Sequence, residues 1–236
     1  MADSDLGLPP KPKQRRPAAT LYAYSPSVLP KPADWGPEVQ VTGYWFLPSS
    51  PAYEADAELA AFLAAGPPPV YVGFGSMPSL AAAERTRIVV AALQRAGVRG
   101  LLALGGGAMA RCKVPDSIHM IDGAPHDWLF PRMSAVMHHG GAGSTAAGLR
   151  AGRPTIICPF FGDQPFWGAV VHGLGAGPRP IPRKRFAVPV LADALREATT
   201  SALMQAQAAN LGTAIARENG VAAAIAVLEA AAARRV

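Results

Sequence analysis

Two adjacent histidines, His138 and His139, run into a glycine cluster and two hydroxyls in HHGGAGSTAAG, residues 138–148. Glycines let backbone N–H groups approach an anion closely, and a helix beginning at the small residues offers its unpaired N-terminal donors and positive dipole end. Ser144 and Thr145 add hydroxyls, and a histidine beside a helix start can donate to phosphate oxygens. That is phosphate-binding chemistry, whereas a plain turn with Ser144 as helix cap leaves His139 unexplained. A second stretch, PFFGDQ, sets the carboxylate of Asp163 beside the amide of Gln164, an acceptor and a donor suited to sugar hydroxyls. Capping of the following helix is the competing role for Asp163. A third, GFGSM, places Ser76 after a glycine at a strand end, where it would support the same phosphates or merely complete a turn.

The elements around these stretches set them on one rim. From Val70 the chain alternates apolar strands with helices: VYVGFGS, the helix AAAERTRIVVAALQRAG, GLLALGG, SIHMIDGAP, the short helix HDWLFPRM and SAVMHH. The glycine stretch and its helix follow, then TIICP, a helix over Phe166–His172, a strand near Gly177–Ile181, and alanine-rich helices over Pro189–Asn219 and Val221–Ala233. This βαβ pattern predicts an α/β fold with a Rossmann-like, mostly parallel sheet flanked by helices. In such a sheet the loops after strand carboxyl ends line the ligand crevice, so GFGSM, HHGGAGST and PFFGDQ should converge.

Residues 1–19 are rich in proline and basic side chains and read as a flexible lead; 20–66 read as an extended segment packing on the core, with a strand at Val39–Thr42 and the helix ADAELAAFLAAG ended by Gly66. Residues 67–236 read as the ligand-binding domain. The 236 residues contain 50% hydrophobic and 16% charged residues, which excludes a disordered chain. A net charge of +6 is spread over short clusters without a basic, aromatic-interleaved helix, so nucleic acid is not the expected partner. Two cysteines, Cys112 and Cys158, make neither a disulfide framework nor a metal-ligand spacing, and no metal or cofactor is expected. The chain shows no signal-peptide core and no run of about 18 apolar residues. A reducing, cytoplasmic setting is expected, with at most peripheral membrane contact.

The order GFGSM, APHDWLF, HHGGAGSTAAGLRAGRPTIICPFFGDQPFWG resembles the donor-binding half of the two-lobed GT-B UDP-glycosyltransferases, in particular their sterol and glycopeptide glucosyltransferase group. YSPSVLPKPADWGPEVQVTGYWF is similar to that group's interdomain region, and the likeness runs from Leu21 to about Pro180. It implies a carboxyl-terminal GT-B lobe that binds UDP-glucose or a related UDP-sugar for hexosyl transfer to a hydroxyl of a sterol, lipid or secondary metabolite. It implies that His139, Gly141, Gly143, Ser144 and Thr145 meet the donor diphosphate, Asp163 and Gln164 the sugar, and Ser76 the phosphate side. Plant members of the wider family carry a uracil-stacking tryptophan where this chain has Gly123 and a ribose-binding glutamate where it has Ala147. Pro125, His126 and Trp128 are therefore the expected nucleoside contacts, Trp128 serving either there or as a core anchor. The family's general base belongs to an amino-terminal acceptor lobe, expected here from a separate chain, so no catalytic base is named. Two alternatives remain: a non-catalytic nucleotide-sugar-binding subunit, and a NAD(P)-dependent oxidoreductase using Gly141, Gly143 and Ala146 as G-x-G-x-x-A with Asp163 downstream.

Overall fold

The computed structural model describes residues 19–48, 53–75 and 81–233. Ser76, and most of the 1–19 lead, lie outside the described residues. Five short strands, β3 (Val70–Gly73), β4 (Gly100–Ala103), β5 (Ile118–Ile121), β6 (Ala135–His138) and β7 (Thr155–Ile157), form one all-parallel sheet in the order β5-β4-β3-β6-β7. Nearly every strand residue is buried, as expected of a parallel sheet covered by helices on both faces, and VYVG, GLLA and AVMH therefore read as continuous apolar runs. The chain starts at central β3, moves outward through β4 and β5, then returns to the other side with β6 and β7. The winding reverses between β3 and β6, and loops leaving those strands diverge to open a crevice.

On one face α2 (Ala82–Ala96) packs along α6 (Val188–Thr200). Thr86, Val89, Ala92 and Leu93 recur at helical spacing and face inward, and α2 stops at Gly97, whose φ of 71° is left-handed. On the other face stand α1 (Ala57–Ala64), capped by Asp56 onto the Leu59 N–H, the short α3 (His126–Leu129), and α4 (Ala142–Arg150). The helices α5 (Gln164–Gly173), α7 (Ala202–Ala216) and α8 (Gly220–Ala233) complete the layer arrangement.

One stretch departs from the sequence reading. Residues 177–181 make no strand: Pro178 and Pro180 lack N–H groups, so beside β7 the region contributes only the Ala176 carbonyl to Thr155 and the Ile181 N–H to Ile157. The alanine-rich stretch Pro189–Asn219 is helical as expected and divides at Ser201, which adopts extended ψ and whose hydroxyl caps α7 through the Met204 N–H. Residues 202–233 together are long and apolar enough to cross a membrane by composition. Residues 217–219 divide them into helices of 15 and 14 residues, each short of the roughly 20 a span requires.

The segment before β3 adds a two-stranded parallel ribbon, β1 (Thr20–Tyr22) with β2 (Val39–Val41). Tyr24, Val28 and Tyr44 are buried in one cluster with Leu149, Ile157, Val171 and Ile215. Ser25 and Ser27 donate to one carboxylate oxygen of Glu218 at 2.6 and 3.1 Å, tying this segment to the α7–α8 junction.

Candidate functional site

At the crevice β6 ends between the two histidines, which therefore lie in different surroundings. His138, the last strand residue, is only 1% exposed, and its Nδ1 accepts the Gly140 N–H at 2.9 Å. A neutral ring with Nδ1 accepting carries its proton on Nε2. Burial, then the neighbouring His139 and His126, pushes its pKa down to about 3, so it stays neutral. The bond holds Gly140 at φ 93°, where an L side chain would be strained and a Cβ would meet Ile157. Sequence reasoning left His138 without a role; in the structure it fixes the turn.

His139 stands half-buried between two glycines. A Cβ on Gly75 would come within 3.1 Å of its Cε1, and one on Gly141 within 2.6 Å of its Nε2. The loops after β3 and β6 therefore touch across the switch point through an imidazole. Burial lowers the His139 pKa while the Asp163 charge partly opposes that shift. Gly141 is the N-cap of α4, in extended conformation and with no side-chain cap, so Ser144 is not the cap that a plain turn would require. By helix geometry the N–H groups of Ala142, Gly143 and Ser144 have no partner within α4. Thr145 is fully buried and its hydroxyl donates to the Gly141 carbonyl at 3.0 Å, which turns it into a support of the helix start.

The loop after β7 closes the other side, where a Cβ on Gly140 would lie 3.1 Å from the Gln164 carbonyl oxygen. Gln164 is 4% exposed, and its Oε1 accepts the N–H groups of Phe160 and Phe161 at 2.7 and 3.1 Å, leaving the amide nitrogen as the end able to meet a ligand. Asp163 occupies the N-cap position of α5, but its side chain makes no cap bond; Oδ2 accepts the Trp167 indole N–H at 2.9 Å. The carboxylate is exposed at the rim and oriented by that indole. The three loops read from sequence thus meet through Gly75, His139, Gly140 and Gln164, while Ser76 and Met77 of GFGSM lie outside the described residues.

Beside the crevice lies a cavity of about 820 Å³, lined by Pro125, His126, Asp127, Pro131, Ala147 and Arg150, with residues 46–48 and Ala151. His126 stacks on Phe130 at 4.2 Å, and burial lowers its pKa. Trp128 does not line this cavity: it meets Tyr53 edge-on and Arg132 over its ring, in a separate groove with Leu63. Its anchoring role is the one the packing supports. The pairing of two lining residues escaped the sequence reading, Phe46 and Arg150, whose guanidinium carbon sits 4.2 Å above the Phe46 ring. They are over 100 residues apart, and no local pattern joins them. Among the described residues no group of three or more His, Cys, Asp or Glu is arranged to hold a metal ion.

A family described as erythromycin biosynthesis protein CIII-like, C-terminal domain, matches residues 105–226, more than half of the chain. The chain belongs to that family. It is a GT-B-type glycosyltransferase domain of the carboxyl-terminal, donor-binding kind. The chain is 48% identical over 205 residues to sterol 3-beta-glucosyltransferase UGT80A2 of Arabidopsis thaliana, covering 86% of this chain and 32% of that protein. With the sterol 3-beta-glucosyltransferase of Aspergillus terreus it shares 45% over 217 residues, 87% of this chain and 15% of the relative. It therefore spans about a third or less of these relatives. Among solved structures, the glycosyltransferase SnogD from Streptomyces nogalater superposes with a TM-score of 0.67 at 24% identity, over 90% of this chain and 56% of that one. The calicheamicin glycosyltransferase CalG4 gives 0.75 at 17%, over 92% and 53%. These two show the fold. The oxidoreductase alternative loses its geometric basis in this chain: its glycines follow the fourth strand of the sheet, and Asp163 lies six residues past β7 at a helix start, not at a strand tip.

Proposed function

We propose that the crevice binds a UDP-sugar, UDP-glucose or a close relative, and that the domain supplies the donor side of hexosyl transfer to a hydroxyl of a sterol, lipid or secondary metabolite. The observation that carries this reading is the α4 start: unpaired N–H groups of Ala142, Gly143 and Ser144 beside the imidazole of His139 at the switch point. The diphosphate would meet these donors and the Ser144 hydroxyl, with Ser76 assisting from the β3 side. Ribose and uracil would extend past Ala147 into the cavity bounded by Pro125, His126, Phe46 and Arg150. Asp163 and the Gln164 amide would hold sugar hydroxyls.

In displacement at the anomeric carbon, negative charge grows on the departing UDP. Fixed N–H donors and the α4 dipole aimed at it stabilise that charge without reorganising at the moment of reaction. The acceptor hydroxyl and its general base would come from an amino-terminal lobe, which makes a docked nucleotide-sugar-binding subunit the second reading. Titration calorimetry with UDP, UDP-glucose, NAD and NADP tests the proposal. Binding of the uridine ligands with a raised thermal midpoint is expected; tighter binding of NAD than of UDP refutes it.

A further inference from the structure

We propose that Arg85 is a positioning residue for the sugar end of this site, locking the loop after β7 to those after β3 and β4 and thereby setting where Asp163 and Gln164 stand. The inference rests on the nucleotide-sugar reading above. Arg85 projects from the first turn of α2, and its guanidinium carbon lies 5.6 Å from the Phe74 ring centroid and 5.0 Å from that of Phe160. Its Nη1 donates to the Ala108 carbonyl. Those three partners follow three different strands: Phe74 leaves β3, Ala108 lies beyond β4, and Phe160 leaves β7. The two rings also meet each other edge-on at 5.7 Å. A planar guanidinium can face both rings and keep a donor for a carbonyl, whereas an ammonium is a point charge without a flat face.

The link to the sugar runs through one residue. Phe160 presents its ring to Arg85 and its N–H to the Gln164 Oε1. Movement of that ring therefore moves the acceptor bond that orients Gln164, and Asp163 lies on the same short loop. The β3 and β4 loops are pressed together independently, since a Cβ on Gly105 would meet the Gly75 carbonyl oxygen at 2.4 Å. The Phe74–Phe160 ring contact reaches the β7 loop from β3, and Arg85 adds to it the cation over both rings and the donor to Ala108 that bind the β4 side into the same clamp. The cation of Arg183 stands near enough to lower the Arg85 pKa, behind burial as the larger cause.

The test uses the full chain with Arg85→Met, Arg85→Lys and Phe160→Leu, titrated with UDP and UDP-glucose while the thermal midpoint is followed. Arg85→Met is expected to weaken UDP-glucose about tenfold and UDP by less than about threefold, the scale set by one cation–π and hydrogen-bond clamp. Arg85→Lys should give an intermediate loss with the same split. Phe160→Leu keeps the apolar bulk and should reproduce the split, which covers the case of a poorly folded Arg85→Met. Equal weakening of both ligands, or no weakening of either, overturns the positioning role. A wild-type chain that binds neither ligand overturns the nucleotide-sugar reading itself, and this inference with it.

Discussion

Gly143→Ala separates a glycine kept for the fold from one kept for a ligand. Gly143 is the second residue of α4, has no positive φ, and an added Cβ would meet nothing within 4 Å. Nothing in the packing requires glycine there. Replacing it within a helix should stabilise the protein by up to about 1 kcal/mol, or a rise of roughly 2–4 °C in thermal midpoint for a chain of this size. The Cα–Cβ bond of a helical residue tilts toward the helix amino terminus, so the new methyl would project at the approaching anion. A phosphate oxygen accepting from the first-turn N–H groups at about 2.9 Å would be held off. Loss of one such charge-assisted bond costs about 1.5–3 kcal/mol, roughly 10- to 150-fold in UDP affinity. Stability and affinity should thus move in opposite directions, measured by calorimetric unfolding and UDP titration of the same preparation. Gly148→Ala, four residues on from Ser144, is the control. Its Cβ would fall 2.9 Å from both Thr155 Oγ1 and Val136 Cγ2, so it should lower stability and leave the affinity of the folded protein unchanged. A Gly143→Ala chain that is more stable and binds UDP as well as wild type refutes the phosphate cradle.

Two further outcomes are expected. Asp163→Ala should weaken UDP-glucose by about 1–3 kcal/mol while sparing UDP, since only the former brings hexose hydroxyls; equal losses in a side-by-side titration would move Asp163 from the sugar to the nucleotide or the fold. His138→Asn, which retains an acceptor for the Gly140 N–H, should flatten the acid limb of the stability curve. The folded pKa of His138 is depressed, to about 3 from the ordinary 6.5 of a histidine, so its contribution is fully present above pH 6.5 and is lost as pH falls from there toward 3. At about 1.4 kcal/mol per unit the limb is worth on the order of 4–5 kcal/mol at its foot. Thermal midpoints from pH 7 to 3.5 that run parallel in the two proteins would show that His138 is not the group responsible.

Much of this architecture is legible in one dimension because each strand is a short apolar run and each helix on the sheet carries its own stop, such as Gly97 after α2. The convergence of loops follows from parallel topology alone, and the contacts of His139 with Gly75 and Gly141 are its local expression. What resisted reading is of two kinds. The first is where a strand ends: adjacent histidines look equivalent in sequence, but His138 is the last residue paired in the sheet, opposite Gly73, and is buried, whereas His139 begins the loop and is half-buried. The second is distance along the chain. Arg150 over Phe46, and Arg85 between Phe74 and Phe160, join residues whose proximity only the packed layers create. The failed strand at 177–181 had its warning in Pro178 and Pro180, which remove the ladder donors an edge strand needs.

The protonation of the site bears on how leaving-group charge is met. His138 is neutral and turned inward, and burial holds His139 below its ordinary pKa, with Asp163 only partly restoring it. Near neutral pH the crevice therefore faces an anion chiefly with N–H dipoles, not with imidazolium charge. Dipoles at a helix start are fixed by the backbone, and their strength does not depend on solution pH in this range. A dianionic ligand settling against His139 would itself favour the protonated ring, since a nearby opposite charge raises a pKa. On the proposed reaction the growing charge on UDP would strengthen that pull at the moment the sugar departs. An imidazole that is neutral while the site is empty and more basic as charge develops makes its strongest interaction late, which is where stabilisation accelerates the transfer.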